Sequence, residues 1–344
     1  MKSSKISFTN KSGYKLSGKI ELPVHTKVQN FAVFAHCFTC NKNFSAVNNI
    51  SRALTQAGVG VLRFDFTGLG ESEGDFADTN FSSNVEDLVV AAEYLSENYV
   101  TPEILIGHSL GGAAVLLARK FIPSIKAVAT IGAPYDPAHV TALFQEGIEE
   151  IEKQGAAKVN IGGRSFQIKK QMVDDLEKQG PFQVINNLDA ALLVMHSPED
   201  SIVELDNATQ IFKAAKHPRS FISLDGADHL LSRKIDSQYV GSLIAKWASK
   251  YVATQGKVTL ETDSDVIVRT SAESYTTDIK AGNHYLTADE PEDVGGADLG
   301  PTPYGLLLAA IGACTSMTLK MYAARKNWDL KEVKVHLMHD KIYA

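Results

Sequence analysis

The chain has 344 residues, 44% hydrophobic and 22% charged, and a formal net charge of −6. That length suits two domains with a core in each, and the acidic balance excludes a global attraction to nucleic acid or an anionic bilayer. No apolar run of transmembrane length is expected, no signal peptide follows Met1-Lys2-Ser3-Ser4-Lys5, and three cysteines (Cys37, Cys40 and Cys314) are too few for a secreted disulfide scaffold and predict a reducing, cytoplasmic setting.

Ile6 to about Pro23 reads as an antiparallel hairpin turned near Asn10-Lys11-Ser12-Gly13. Strands and helices then alternate. Phe31 to Ala35 is a buried strand, Asn48 to Gln56 an amphipathic helix ended by Gly58, and Val59 to Phe64 the next strand. Asn80 to Asn98 is a long helix, Glu103 to Ile106 a strand, and Ala127 to Ile131 another. Ala190 to Met195 and Arg219 to Ile222 supply later strands, and Ser237 to Tyr251 a closing helix. This alternation predicts an α/β class with a mostly parallel sheet and helices on both faces. The stretch from about 135 to 182 interrupts it. There the sequence predicts a charged helix (Val140 to Gln154), a short hairpin around Gly162-Gly163-Arg164 and a helix from Lys170 to Lys178. An insertion at that point is expected to be a small lid over the site; the alternative is an extra packing element on the surface.

Gly107-His108-Ser109-Leu110-Gly111 follows the apolar run Ile104-Leu105-Ile106 and precedes a small-residue helix, Gly112 to Ala118. This is a Gly-x-Ser-x-Gly nucleophile elbow in its strand–turn–helix context. The glycines are needed because a side chain beside the strained serine would clash. The helix N-terminus favours negative charge developing next to it.

A serine hydroxyl needs a histidine to take its proton and a carboxylate to orient that histidine. After Ser109 an acid at the end of a buried strand is found in Ser197-Pro198-Glu199-Asp200, and Asp200 is chosen over its neighbour Glu199. Gly226-Ala227-Asp228-His229 follows the next strand, which makes His229 the general base. His108 is expected to point away from the nucleophile, and His196 to be a packing or hydrogen-bonding residue. Two backbone N–H groups must hold the oxyanion. Leu110 supplies one; the loop His36-Cys37-Phe38-Thr39-Cys40 supplies the other, from Phe38 or alternatively Cys37, with His36 bracing the loop. Cys37-x-x-Cys40 has the spacing of a redox pair or of half a zinc site, but no second pair at zinc spacing is visible, so neither a metal nor a cofactor is predicted. Arg63 to Ser72 is a glycine-punctuated turn without a Walker lysine, read as active-site bracing by Asp65 and Ser72.

Together these features resemble the α/β-hydrolase superfamily of serine esterases over roughly residues 5 to 252. The resemblance implies an α/β-hydrolase fold with a small lid insertion, Ser109, Asp200 and His229 as catalytic residues, and Phe38 and Leu110 as the oxyanion hole. Cys37 departs from the glycine that many members carry after the histidine.

A polar joint, Ala253 to Lys257, then changes the pattern, giving predicted domains at 1–253 and 257–344. Lys257 to Thr262, Asp265 to Thr270 and Ser274 to Ala281 alternate like antiparallel strands, Tyr304 to Lys326 is a helix, and Glu332 to Ile342 is another strand pattern. Gly300-Pro301-Thr302-Pro303-Tyr304 through Cys314-Thr315-Ser316-Met317-Thr318 resembles the OsmC/Ohr family of thiol peroxidases, which form intertwined α+β dimers. The resemblance places Cys314 at the peroxide-attacking cysteine, Arg269 at the arginine that lowers its pKa, and Glu290 or Glu292 at the family glutamate. No resolving cysteine follows, so this α+β part is expected to be incomplete and to serve as a homodimer contact. The expected activity is that of a cytoplasmic serine carboxylesterase acting on small or aromatic acyl esters, with no nucleic-acid or membrane partner. The alternative is a thiol-dependent organic hydroperoxidase using Cys314.

Overall fold

The computed structural model describes residues 2–23, 28–161, 163–179, 183–253, 260–270, 272 and 274–340. Two compact units emerge, Met1–Lys257 and Val258–Ala344.

The first unit runs β1 (Lys2–Thr9), β2 (Lys15–Leu22), β3 (Phe31–Ala35), α1 (Ser45–Gln56), β4 (Gly60–Phe64), α2 (Phe81–Asn98), β5 (Ile104–His108), α3 (Leu110–Ala118) and β6 (Ala127–Ile131). The insertion holds a 3-10 stretch (Pro137–Gly147), α4 (Ile148–Gln154), β7 (Ala156–Ile161), β8 (Arg164–Lys169) and α5 (Lys170–Gln179). Then come β9 (Ala191–His196), α6 (Leu205–Ala214), β10 (Arg219–Ser223) and α7 (Lys234–Ala248). The eight-stranded sheet has the order β1-β2-β4-β3-β5-β6-β9-β10. The β1–β2 and β2–β4 pairs are antiparallel and the rest parallel.

The inner strands are buried on both faces, so their side chains divide by alternation. Ala32, Phe34, Ile104, Ile106, Ala129 and Met195 join α1 and α7 on one face. Val33, Leu105, Val128 and Val194 join α2 and α3 on the other. α2 starts sharply because Asn80 and Ser83 cap each other: Ser83 N–H donates to the Asn80 side chain at 2.8 Å, and Asn80 N–H to Ser83 Oγ at 3.0 Å.

All nine residues of α3 are buried, which explains their small size. Gly111 allows the closest approach. A Cβ there would lie 2.5 Å from the carbonyl oxygens of both Ala35 and His36. Gly111→Ala should therefore cost about 3 kcal/mol or more, because both obstacles are backbone; an unchanged urea midpoint would contradict this packing.

The second unit holds an antiparallel sheet, β11 (Val266–Thr270), β12 (Thr277–Ala281) and β13 (His284–Ala288), then α8 (Pro303–Arg325). Thr302 accepts from Gly305 N–H at 3.1 Å and Pro303 takes the first helical position. Three expectations change here. Residues 329–340 form no strand. Their alternating Val333, Val335 and Leu337 line a groove against Leu308, Gly312 and Ser316 of α8, so the period-2 pattern faces a helix without a ladder. Of the strand expected at Lys257 to Thr262, residues 260–262 are irregular and 257–259 lie outside the described residues, as does most of the polar joint. The 23-residue α8 is, against the expectation, long and apolar enough to cross a membrane by length and composition, with a mean hydropathy of 1.4 over an 18-residue stretch. Interspersed Gly312, Thr315, Ser316 and Thr318 hide that average from a search for unbroken runs.

Candidate active site

Ser109 sits between β5 and α3 with φ 55° and ψ −127°, a conformation costly for any residue but glycine. Its N–H donates to the carbonyl of Ile131 at 2.8 Å, tying the turn to the end of β6. The next residue, Gly132, has φ 54°, and a Cβ on it would meet Asp200 Oδ2 at 3.2 Å and His229 Nδ1 at 3.3 Å. The loops after β6, β9 and β10 thus converge beside the elbow, at the carboxyl ends of parallel strands.

His229 Nδ1 donates to Asp200 Oδ2 at 2.7 Å. The other carboxylate oxygen accepts from the N–H groups of Ile202 and Val203, both at 2.9 Å. Burial would raise the Asp200 pKa, but the His229 hydrogen bond and these N–H donors outweigh it and hold the carboxyl below its ordinary value. A carboxylate on Nδ1 keeps that nitrogen protonated, which leaves Nε2 as a proton acceptor. Glu199 instead accepts from Ser197 Oγ and Gly226 N–H, both at 3.0 Å, away from His229. Among the described residues Ser109 Oγ makes no hydrogen bond, a looseness ordinary in ligand-free sites.

His108 meets the loop that carries His229. Its Nε2 lies 2.7 Å from the His229 carbonyl, and the two rings are 5.2 Å apart. A carbonyl only accepts, so Nε2 of His108 carries the proton and tethers the His229 loop to the elbow. Burial, and then nearby His229, lower the His108 pKa from 6.5 to about 4. The unfolded chain therefore binds this proton at higher pH than the folded one. Between pH 6.5 and 4 it holds more protons, so stability falls as the pH falls through that window, by about 3 kcal/mol in all. The depressed Asp200 carboxyl acts in the same direction at the acid end. Denaturation midpoints should fall as pH drops from 7 to 4, and His108→Asn should flatten that slope; an equal slope in the variant would contradict the assignment.

His196 is 1% exposed, donates from Nε2 to the Val203 carbonyl at 2.7 Å, and supports the loop that carries Asp200. On the oxyanion loop, His36 Nδ1 donates to the Cys37 carbonyl at 2.8 Å and its ring lies edge-on to Phe66. Burial lowers the His36 pKa. The N–H groups of Phe38 and Leu110 have no acceptor among the described residues. A small cavity of about 10 Å³ lies beside them, lined by His36, Phe38, Phe66, Leu69, Asn84 and Leu110.

Asp65 and Ser72 brace the turn as expected: Ser72 Oγ donates to the Asp65 carbonyl at 2.6 Å, and Glu71 N–H to Asp65 Oδ2 at 2.9 Å. Three side chains that bear on the oxyanion loop were not foreseen. Lys42, 1% exposed, pairs with Asp65 at 2.5 Å and Glu71 at 2.9 Å, and its hydrogen bond holds the Glu71 carboxyl down to about 2. Arg63 bonds the Lys42 carbonyl and pairs with Glu21 at 2.6 Å. Arg164 of the insertion bonds the Thr39 carbonyl. No local signal marks any of the three, because each partner lies 21 or more positions away along the chain.

Cys37 and Cys40 are joined in a disulfide. Each sulfur is therefore bonded to the other. In the second unit Cys314 is a free, exposed thiol on α8, while Arg269 on β11 pairs with Asp278 at 3.0 Å. Glu290 and Glu292 lie between β13 and α8.

Residues 31–179 match the family model described as serine aminopeptidase S33, and residues 295–342 match the OsmC-like protein model. The crystallised esterase domain of a Rhodothermus marinus protein is 48% identical, over 73% of this chain and 99% of that one, with a TM-score of 0.62. Est1E from Butyrivibrio proteoclasticus, solved with ferulic acid, shares the fold at 18% identity and a TM-score of 0.60, over 72% of this chain and 99% of that one. Mouse mitochondrial palmitoyl-protein thioesterase ABHD10 is 26% identical over 213 residues, 59% of this chain and 70% of that protein. The chain belongs to the α/β-hydrolase superfamily, through a hydrolase domain of the S33 type, and carries an OsmC-like domain after it.

Proposed function

We propose that the protein is a serine carboxylesterase that hydrolyses short or single-ring acyl esters. Ser109 Oγ attacks the ester carbonyl carbon while His229 Nε2 takes its proton, and Asp200 holds the ring in the required tautomer. The Leu110 and Phe38 N–H groups receive the oxyanion. His229 then protonates the departing alcohol, and a water activated by the same nitrogen cleaves the acyl-enzyme. The observation that carries this reading is the His229–Asp200 pair, 2.7 Å apart, which meets the strained Ser109 turn at the Ile131–Gly132 loop.

Chain-length preference follows from the cavity beside the N–H donors. At about 10 Å³ it holds about one water and is far below the usual range for ligand pockets. Phe38 forms part of its wall, backed by Phe76 at 5.4 Å and Phe144 at 6.4 Å between ring centres. Across a p-nitrophenyl ester series, kcat/KM should fall at least about tenfold from butyryl to decanoyl, the order of a few lost methylene contacts. A rise toward decanoyl, or a faster palmitoyl thioester, would move the reading toward the thioesterase relative.

For the second unit we propose a homodimer contact. Leu307, Ile311, Met317 and Met321 of α8 are exposed, an apolar set that calls for a partner. Leu307→Glu with Ile311→Glu should halve the sedimenting mass of the full chain, and an unchanged mass would contradict this role.

A further inference from the structure

The Cys37–Cys40 disulfide closes a four-residue ring around Phe38 and Thr39, the segment whose N–H group receives the oxyanion in the esterase reading on which this inference rests. Within that ring the Cys40 N–H donates to the Cys37 carbonyl at 3.1 Å, so the segment is a β-turn. Thr39 occupies its third position with φ 67°. A β-branched residue resists that left-handed conformation, so something must hold it. Two ties are present besides the turn hydrogen bond: the disulfide, and Arg164 on the Thr39 carbonyl. The loop's far end is already fixed by Lys42 on Asp65. The disulfide is therefore the covalent member of the set that fixes where the Phe38 N–H points.

We propose that Cys37–Cys40 is a thiol–disulfide exchange site that sets the oxyanion hole, and that reduction by a dithiol lowers ester turnover. Cys40 is half-buried and Cys37 is 5% exposed, so attack comes at the Cys40 sulfur. A dithiol thiolate bonds to Cys40 Sγ as the Cys37–Cys40 bond breaks, and Cys37 leaves as a thiolate. The reductant's second thiol then displaces Cys40. Two electrons and two protons pass to the protein pair, and the reductant departs as its own disulfide. Without the ring Thr39 relaxes out of its left-handed conformation, and the Phe38 N–H turns from the developing charge. The effect falls on the transition state rather than on ester binding, so kcat drops while KM holds.

The test uses the full chain, dithiothreitol and p-nitrophenyl acetate, with iodoacetamide labelling and intact mass. The oxidised protein should take one label, on Cys314, and the reduced protein three. Reduction should lower kcat roughly tenfold with KM nearly constant, part of what a whole oxyanion donor supplies, and oxidised glutathione should restore it. The Cys37→Ser, Cys40→Ser double variant should stay at the reduced level and ignore the dithiol, whereas Cys314→Ser should respond as the parent does. Three labels without reductant, an unchanged kcat on reduction, or a dithiol effect that persists in the double variant each overturn the proposal while leaving the esterase reading standing. Failure of every ester to turn over in both redox forms overturns the esterase reading and the inference with it.

Discussion

Replacing Ser109 with alanine is expected to lower kcat/KM on p-nitrophenyl acetate by at least about ten-thousand-fold. The substitution removes the attacking oxygen and little else. The turn is held by backbone contacts, Ser109 N–H on the Ile131 carbonyl and Gly111 against the Ala35 and His36 carbonyls, and none of these involves the hydroxyl. The variant should therefore fold as the parent does and bind ester with a similar KM. What remains is the contribution of the oxyanion donors acting on a water. Retention of parental rates would mean that some other group attacks, and would remove the basis for every role assigned to His229 and Asp200.

Asp200→Asn should cost on the order of a thousand- to ten-thousand-fold in kcat, with the fold intact. The carboxylate does two jobs. Its Oδ1 accepts from the Ile202 and Val203 N–H groups, and its Oδ2 from His229 Nδ1. An asparagine can keep the first set through its carbonyl. The amide NH2 then faces Nδ1 and donates to it, which moves the imidazole proton to Nε2 and turns the base into a donor toward Ser109. Nor does the amide carry the charge that stabilises an imidazolium. Glu199→Gln next door should leave kcat nearly unchanged, because Glu199 bonds Ser197 and Gly226 instead. A large loss at Glu199 with little at Asp200 would exchange the two roles.

The site was legible where chemistry is tied to local sequence. Glycine spacing announced the elbow, because only glycine tolerates backbone at 2.5 Å. The pairing of Asp200 with His229 at 2.7 Å agrees with an expectation drawn from chain order and their place after buried strands. The parallel strands showed as short apolar runs because both of their faces are covered. α6 forms where no helix is expected from the sequence, and Glu332 to Ile342 alternates like a strand although residues 332–340 form none and 341–342 lie outside the described residues. Alternation says which side chains share a face but not whether a neighbouring strand or a helix will cover it. The Lys42–Asp65 and Arg63–Glu21 pairs were illegible for a similar reason: their partners lie 23 and 42 residues apart and meet only once β2, β3 and β4 are ordered. The contact of His108 with the His229 carbonyl spans 121 residues and has no local mark at all.

In the proposed mechanism a single hydroxyl becomes covalently acylated, and mapping a fluorophosphonate adduct by peptide mass reads this directly. The predicted result is one adduct, on the peptide containing Ser109, formed as esterase activity disappears and absent from Ser109→Ala. An adduct on a different serine, or complete loss of activity with the Ser109 peptide unmodified, would contradict it.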